Sequence, residues 1–416
     1  MKTALLFVSL LAAVYSKTIT MQTRRTGSLR AKLIATKQLR QFVEKQRAKR
    51  FEILKRGSEP FRDFYDDFYI GEVDLGTPGQ PTLLVMDTGS SNLWAIDSGC
   101  DLDACNGYPI SGYTRHKFNT NESSTFHAEE EDFAIQYGSG FCSGYLATDT
   151  ISFAGISISN LEFGIATYLD DVFGYQPMDG IFGLGWPSIA VDNVTTPIQR
   201  ILSELDQPIF TVWLDRKVNI SEGGDAGVIT FGGFDDDHCE SNVSYVPLTA
   251  ETYWQFSIDG YSICTHKCHK KAQVNSEYIY GETAIYLPRK IQVISDTGTS
   301  WIGAPQHVID NVADATNADY DFFQDIYTVP CANMDSLPPF NITIGGREYS
   351  IPSSEYVLDL GLGDGDCVLT FFSMDDSNGF SDPTWILGDT FIRTFCNVYD
   401  VGAKQIGFAK AKHGNI

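Results

Sequence analysis

Two phrases of the chain carry residue types suited to chemistry: VMDTGSS at residues 85–91 and VISDTGTS at 293–300. An isolated Asp-Thr-Gly triplet is ordinary turn material, because Asp and Gly favour turns anywhere. Here each triplet follows an apolar run and is followed by Ser/Thr-Ser, and each has an apolar-apolar-Gly signature downstream, at 180–183 and 386–388. Asp87 and Asp296 are therefore expected at the ends of buried strands, where Gly89 and Gly298 let the chain turn and another backbone come close. A pinned carboxyl is suited to proton transfer. One carboxylate cannot be both acid and base to the same water, whereas two can divide those roles.

The elements that must hold these carboxyls read as short strands. From about Phe68 the runs YIGEVDLG, PTLLVMD, FAIQYGSG, GVITFGG and SYVPLT are bounded by Gly, Pro, Asn or Asp, which is an all-β plan. Helical pieces interrupt it around 196–205 and 305–313. The order of apolar strand, Asp-Thr-Gly, long β excursion and apolar-apolar-Gly occurs twice, at a period far longer than a solenoid repeat. Two homologous lobes fit this order, with a boundary near 234–241. Upstream, Leu29, Leu33, Leu39, Phe42 and Val43 recur at near-helical spacing among basic residues, so this stretch reads as one or two short helices.

The 416 residues, 43% hydrophobic and 20% charged, are enough for two or more cores. Residues 1–16, MKTALLFVSLLAAVYS, read as a secretory signal, the apolar run being too short to span a bilayer. Sequons at Asn121, Asn193, Asn219, Asn242 and Asn341 and nine cysteines agree with export. Cys264, His266, Cys268 and His269 lack a second pair of zinc-ligand spacing, so a small disulfide loop is the better reading and no metal is expected. Charge is uneven. Residues 17–57 hold 13 Lys/Arg against Glu44 and Glu52, while the rest of the chain holds 51 of the 53 acids. A basic segment of this kind suits nucleic acid or membranes, but a simpler partner is the chain's own anionic body, in a pairing that fails when carboxylates protonate.

Taken together, these motifs resemble the pepsin-like aspartic endopeptidases, the group of pepsins and cathepsins D and E. The likeness runs from the basic segment to FIRTFCNVYDVGAKQIGFAKA. It implies a bilobal all-β fold, two homologous β lobes with an interdomain sheet and a helical prosegment. The chain would divide into a signal peptide (1–16), a basic activation prosegment (17–57), an N-terminal lobe with the first catalytic Asp and a flap (58–236) and a C-terminal lobe with the second (237–416). Asp87 and Asp296 would lie side by side at a cleft floor and share one proton, a splitting for which this family is the usual illustration. Thr88 and Thr297 would cross-link the two loops, Ser90 and Thr299 would hydrogen-bond the outer carboxylate oxygens, and Gly89 and Gly298 would bring amides near. IQYGSG at 135–140 resembles the flap, with Tyr137 reaching the indole of Trp94 and with Gly138, Ser139 and Gly298 contacting substrate backbone. Val85, Phe173 and Met178 are candidate pocket walls.

The same resemblance pairs Cys100 with Cys105, Cys264 with Cys268 and Cys331 with Cys367. It suggests Cys239 with Cys396, leaving Cys142 free. It places the basic cap on the aspartates at Lys49 or Arg50, with processing between Phe51 and Asp63 or after Lys55-Arg56 by a separate protease. The segment KKAQVNSEYIYGETAIYLPRK at 270–290 departs from the family pattern, which runs almost directly into the second Asp strand. The implied activity is hydrolysis of polypeptides in acid, preferring hydrophobic residues at the cut. It would need no cofactor, nucleic acid or membrane anchor, and would come from a monomer inhibited by its own prosegment, extracellular or lysosomal. The competing reading, a binding module that has lost catalysis, is opposed by the intact aspartates, their Thr-Gly neighbours and the flap tyrosine.

Overall fold

A computed structural model of the chain describes residues 17–45, 68–137, 140–215, 224–263, 284–374 and 384–413. It is β-rich, with short helices between strands, and one thirteen-stranded sheet takes strands from both ends of the chain. Phe395–Asp400 pairs with Ile209–Leu214 on one side and Gln405–Lys410 on the other. An eight-stranded sheet holds Ala284–Ser295 and Trp385–Leu387, and a separate four-stranded sheet includes Ile326–Pro330.

A four-strand arrangement occurs twice and positions the two aspartates. Gln80–Asp87 runs parallel to Gly180–Gly183, which pairs antiparallel with Leu93–Ile96, itself parallel to Ile156–Leu169. In the second copy Ala284–Ser295 runs parallel to Trp385–Leu387, which pairs antiparallel with Ile302–Ala304, itself parallel to Phe371–Ser373. The downstream signatures are thus the hydrogen-bonded neighbours of the Asp strands. Their glycines are obligatory: a Cβ on Gly183 would lie 2.4 Å from the Ser91 carbonyl carbon, and one on Gly388 would lie 2.1 Å from the Thr299 oxygen. The chain crosses itself there with no room for a side chain.

The basic segment begins with a strand rather than a helix. Ile19–Arg25 lies between Gly224–Phe231 and Tyr69–Leu75, antiparallel to both. Its alternation explains this, since Met21, Thr23 and Arg25 are buried while Thr20, Gln22 and Arg24 are exposed, the period-2 signature of a strand. The helical reading applies only downstream, to Leu29–Ala35, capped by Ser28, whose Oγ accepts from the Ala31 N–H, and to residues 39–45. Leu29, Leu33, Leu39 and Val43 bury together against Ile110 and Tyr175. Helices also form at Pro197–Ile201, with a Thr196/Gln199 capping box, and at Gln306–Thr316.

Disulfides join Cys100 to Cys105, Cys239 to Cys396 and Cys331 to Cys367, while Cys142 is buried and unbridged. Cys264, Cys268, Asn219, Gly138, Ser139, Lys49, Arg50 and the signal segment lie outside the described residues, as does most of 270–290. Asn121, Asn193 and Asn242 are exposed. Asn341 differs: it is half-buried within the strand Phe340–Ile344 and its Nδ2 donates to Ser262 Oγ at 3.3 Å, a poor presentation for a glycan. Among the described residues no helix is long and apolar enough to cross a membrane. Burial pushes the Cys142 thiol well up, so it should resist alkylation until the chain unfolds. Non-reducing peptide mapping is expected to recover Cys239 linked to Cys396 and Cys142 unlinked; a native Cys142 cross-link or rapid native alkylation would contradict the structure.

Candidate active site

Asp87 ends its strand and Asp296 immediately follows its own, so each carboxyl leaves the sheet at a fixed point. The two carboxyl groups lie against each other's loops and are only 7% and 8% exposed. Each is held by matching groups. Asp87 Oδ1 accepts from Gly89 N at 2.8 Å and its Oδ2 from Ser90 Oγ at 2.5 Å. Asp296 Oδ1 accepts from Gly298 N at 2.8 Å and its Oδ2 from Thr299 Oγ1 at 2.7 Å. The two glycines also admit the opposite carboxyl, since a Cβ on Gly89 would lie 2.5 Å from Asp296 Oδ1 and one on Gly298 would lie 2.4 Å from Asp87 Oδ1.

A reciprocal clasp fixes the two loops against each other. Thr88 N donates to Thr297 Oγ1 at 2.9 Å and Thr297 N to Thr88 Oγ1 at 3.0 Å. Each hydroxyl then donates across to the opposite strand, Thr88 to the Ser295 carbonyl at 3.0 Å and Thr297 to the Met86 carbonyl at 2.5 Å. Both threonines are fully buried, so every one of these bonds lacks a water substitute.

Burial, then the charge of Asp296, push the Asp87 carboxyl well above the usual carboxylate range, against the pull of Ser90 and Gly89. Burial also raises Asp296, opposed by Thr299 and Gly298. Two carboxyls in one dry site cannot both ionise cheaply, so the pair retains a proton where isolated carboxyls would have lost theirs.

The hairpin of His127–Gln136 and Phe141–Phe153 brings Tyr137 over this pair. Trp94 Nε1 donates to the Tyr137 hydroxyl at 2.8 Å, so the hairpin is tied to the strand Leu93–Ile96 beside the pair. A cavity of about 360 Å³ lies between them, lined by both aspartates, Gly89, Ser90, Tyr137, Gly298 and Thr299 and by the apolar Val85, Phe173 and Met178. Further wall residues, Phe68, Ile181, Tyr253, Ile294, Phe372 and Ile386, escaped the sequence reading. For two of them a signal existed. Val85 pairs with Ile181 and Ile294 with Ile386 in the same register, so the repeat that finds Val85 also points to Ile294. Ser295 is a missed support: its hydroxyl donates to Asn397 Oδ1 at 2.9 Å and lies 2.8 Å from Tyr399 Oη beneath the second loop.

The basic segment reaches both walls. Arg30 Nη1 donates to the Gln324 carbonyl at 3.2 Å, while Lys32 Nζ donates to the Ser111 carbonyl at 3.1 Å. Ala31 and Ile34 pack with Ile294, Phe372 and Ile386 of the cavity wall. Among the described residues the one cluster with metal-ligand spacing is Cys331, Asp359 and Cys367, whose sulfurs are already bonded to each other and offer no thiolate.

Residues 68–411 match the family model described as eukaryotic aspartyl protease. The chain is 50% identical over 411 residues to Aspartic protease 1 of Caenorhabditis elegans, covering 98% of each, and 48% identical over 411 residues to Aspartic protease 17 of the same organism, covering 98% of this chain and 99% of that one. It is 33% identical over 365 residues to Gastricsin of Homo sapiens, covering 87% and 86%.

The clasp generates a stability prediction. Thr88→Val or Thr297→Val keeps the shape but leaves a buried N–H without its acceptor, at a cost of about 1–3 kcal/mol each. The double variant should cost less than the sum, because both substitutions break the same clasp. Urea unfolding with a double-mutant cycle measures this; strictly additive effects would mean the threonines act separately.

Proposed function

The chain belongs to the eukaryotic aspartyl protease family and is an aspartic-type endopeptidase, and from that premise we propose that Asp87 and Asp296 are its catalytic pair, acting on a water held between them. The observation that carries this reading is the pair of buried, apposed carboxyls, each with its own hydroxyl and amide donor. With one proton shared, the ionised side accepts a proton from water while the protonated side donates to the peptide carbonyl. The water oxygen bonds to the carbonyl carbon and gives a tetrahedral diol. Passing a proton to the nitrogen then breaks the C–N bond and leaves an acid and an amine, with no covalent enzyme intermediate.

The rest of the site supports a substrate polypeptide lying extended under the Tyr137 hairpin. Gly138, Ser139 and Gly298 would hydrogen-bond its backbone, and closure would exclude water from the reacting bond. Apolar walls at Val85, Phe173, Met178, Ile294 and Ile386 favour hydrophobic side chains at the cut. The duplicated four-strand arrangement supports two homologous lobes, 58–236 and 237–416, with one aspartate each. Residues 17–57 are the activation prosegment, released in acid, and the chain acts outside the cytosol, in the extracellular space or lysosome.

The raised carboxyls fix the sign of the pH dependence. A group whose folded pKa lies above its unfolded value stabilises the fold below the unfolded value and loses that contribution as pH rises toward the folded one. Stability should therefore fall from about pH 4 upward, by at most about 1.4 kcal/mol per pH unit for the shared proton. Activity on denatured globin should fall in the same direction. Asp87→Asn is expected to abolish hydrolysis and flatten the stability loss; retained cleavage, or peak activity at neutral pH, would refute the catalytic pair. Zymogen release has a separate check. Incubated alone in acid, an Asp87→Ala chain should keep residues 17–57, and loss of that segment would exclude self-processing.

A further inference from the structure

Arg30 is an unusual residue to find buried. It is only 8% exposed, and its guanidinium carbon lies 5.1 Å from the centre of the Trp301 ring, within cation–π range. Its Nη1 donates to the Gln324 carbonyl. One helical stretch later, the Arg40 guanidinium lies 4.6 Å from the centre of the Phe323 ring. Phe323 and its edge-on neighbour Phe322 remain 56% and 63% exposed with the segment in place. Trp301 is not itself in the cavity wall, but it packs with Ile294, Phe372 and Ile386, which are. The body of the molecule thus has a place built for a guanidinium at the edge of the cleft, and the chain fills it from a segment that the proposed activation removes.

We propose that Trp301 and the Gln324 carbonyl, with Phe323 beside them, form a guanidinium-binding extension of the substrate cleft, held by Arg30, and at Phe323 by Arg40, before activation, and at Trp301 by an arginine of the substrate, away from the scissile bond, afterwards. The inference rests on the reading of residues 17–57 as a released prosegment. Three features favour a cation over an apolar occupant. An aromatic face and a main-chain carbonyl oxygen are both electron-rich, and a flat guanidinium can stack on the one while donating to the other, which an ammonium does less well. The hairpin that carries Gln324 also carries Asp319, Asp321 and Asp325. Finally, against the upward push of partial burial, hydrogen bonds from Gln324 and from the Phe323 amide hold Asp321 below the usual carboxylate range, so the hairpin keeps negative charge in acid.

The test uses acid-processed protein and peptides with a fixed hydrophobic cut, in which arginine is moved through every other position and compared with its uncharged isostere citrulline. At one position kcat/KM for arginine should exceed that for citrulline by roughly tenfold. The ratio should fall to near one in Trp301→Leu and be partly kept in Trp301→Phe, a readout that general loss of folding would not move. Equal turnover of arginine and citrulline peptides at every position, or a ratio that survives Trp301→Leu, overturns the inference while leaving the protease reading intact. A protein that cleaves none of the peptides and retains residues 17–57 in acid contradicts the underlying reading, and the inference falls with it.

Discussion

Two carboxyl groups held within hydrogen-bond reach in a nearly dry cleft repel as soon as both ionise, and the surrounding backbone has to withstand that repulsion. The Thr88–Thr297 clasp is the means. It sits directly behind the pair, is fully buried, and ties each loop to the main chain of the other strand rather than to a mobile side chain. Because amides and hydroxyls of both loops are used up in this exchange, neither loop can shift without breaking the other's bonds. The carboxyl spacing then follows from backbone geometry, and with it the raised proton affinity that the proposed chemistry uses.

The clasp is symmetric only because the elements beneath it are. Each aspartate strand has a parallel neighbour with a glycine at or just past its end, and at each glycine another stretch of chain passes where a Cβ would stand. Gly183 and Gly388 are thus as much a part of the site as Gly89 and Gly298, though they touch neither carboxyl. The departures from symmetry lie above this base. The hairpin carrying Tyr137 is held by Trp94, which belongs to the four-strand arrangement of Asp87, so the environment of the two aspartates on the cavity side differs even where their supports match.

The base of the site was legible because its residues are constrained twice. Asp-Thr-Gly and the later apolar-apolar-Gly must recur together, and a repeat in one chain exposes that requirement without any alignment. The β texture was legible for the usual reason, short apolar runs between turn formers. The cleft walls were legible only in part: Val85 sits beside the motif, whereas Tyr253 comes from a turn and Phe372 from a strand, both distant in sequence from the motifs, and they look like any core aromatic. The strand Ile19–Arg25 was missed because its alternation is carried by Met21, Thr23 and Arg25, of which only one is apolar. The basic residues around it drew a reading based on charge. What buries Thr23 and Arg25 is the pairing of strands on both sides, which no local pattern encodes.

That strand also bears on how a basic segment could be held to an acidic body. Its seven residues pair with Gly224–Phe231, and Thr23, Arg24 and Arg25 pair also with Tyr69–Leu75. Main-chain hydrogen bonds do not titrate in the range where carboxylates do, so acid can weaken contacts such as Lys45–Asp171, 2.7 Å apart and exposed, without loosening the ladder. Charge neutralisation can thus loosen the helical part at its carboxylate contacts before the strand, whereas the arginine contacts at Trp301 and Phe323, which involve no titrating partner, persist until the segment leaves. Removing the strand would leave two unpaired edges in the middle of the thirteen-stranded sheet, which is costly unless another segment takes its place. If residues 17–57 are released as proposed, the release is a two-stage event: a side-chain stage at carboxylate contacts such as Lys45–Asp171, where pH acts, followed by a backbone stage in the sheet, where it does not.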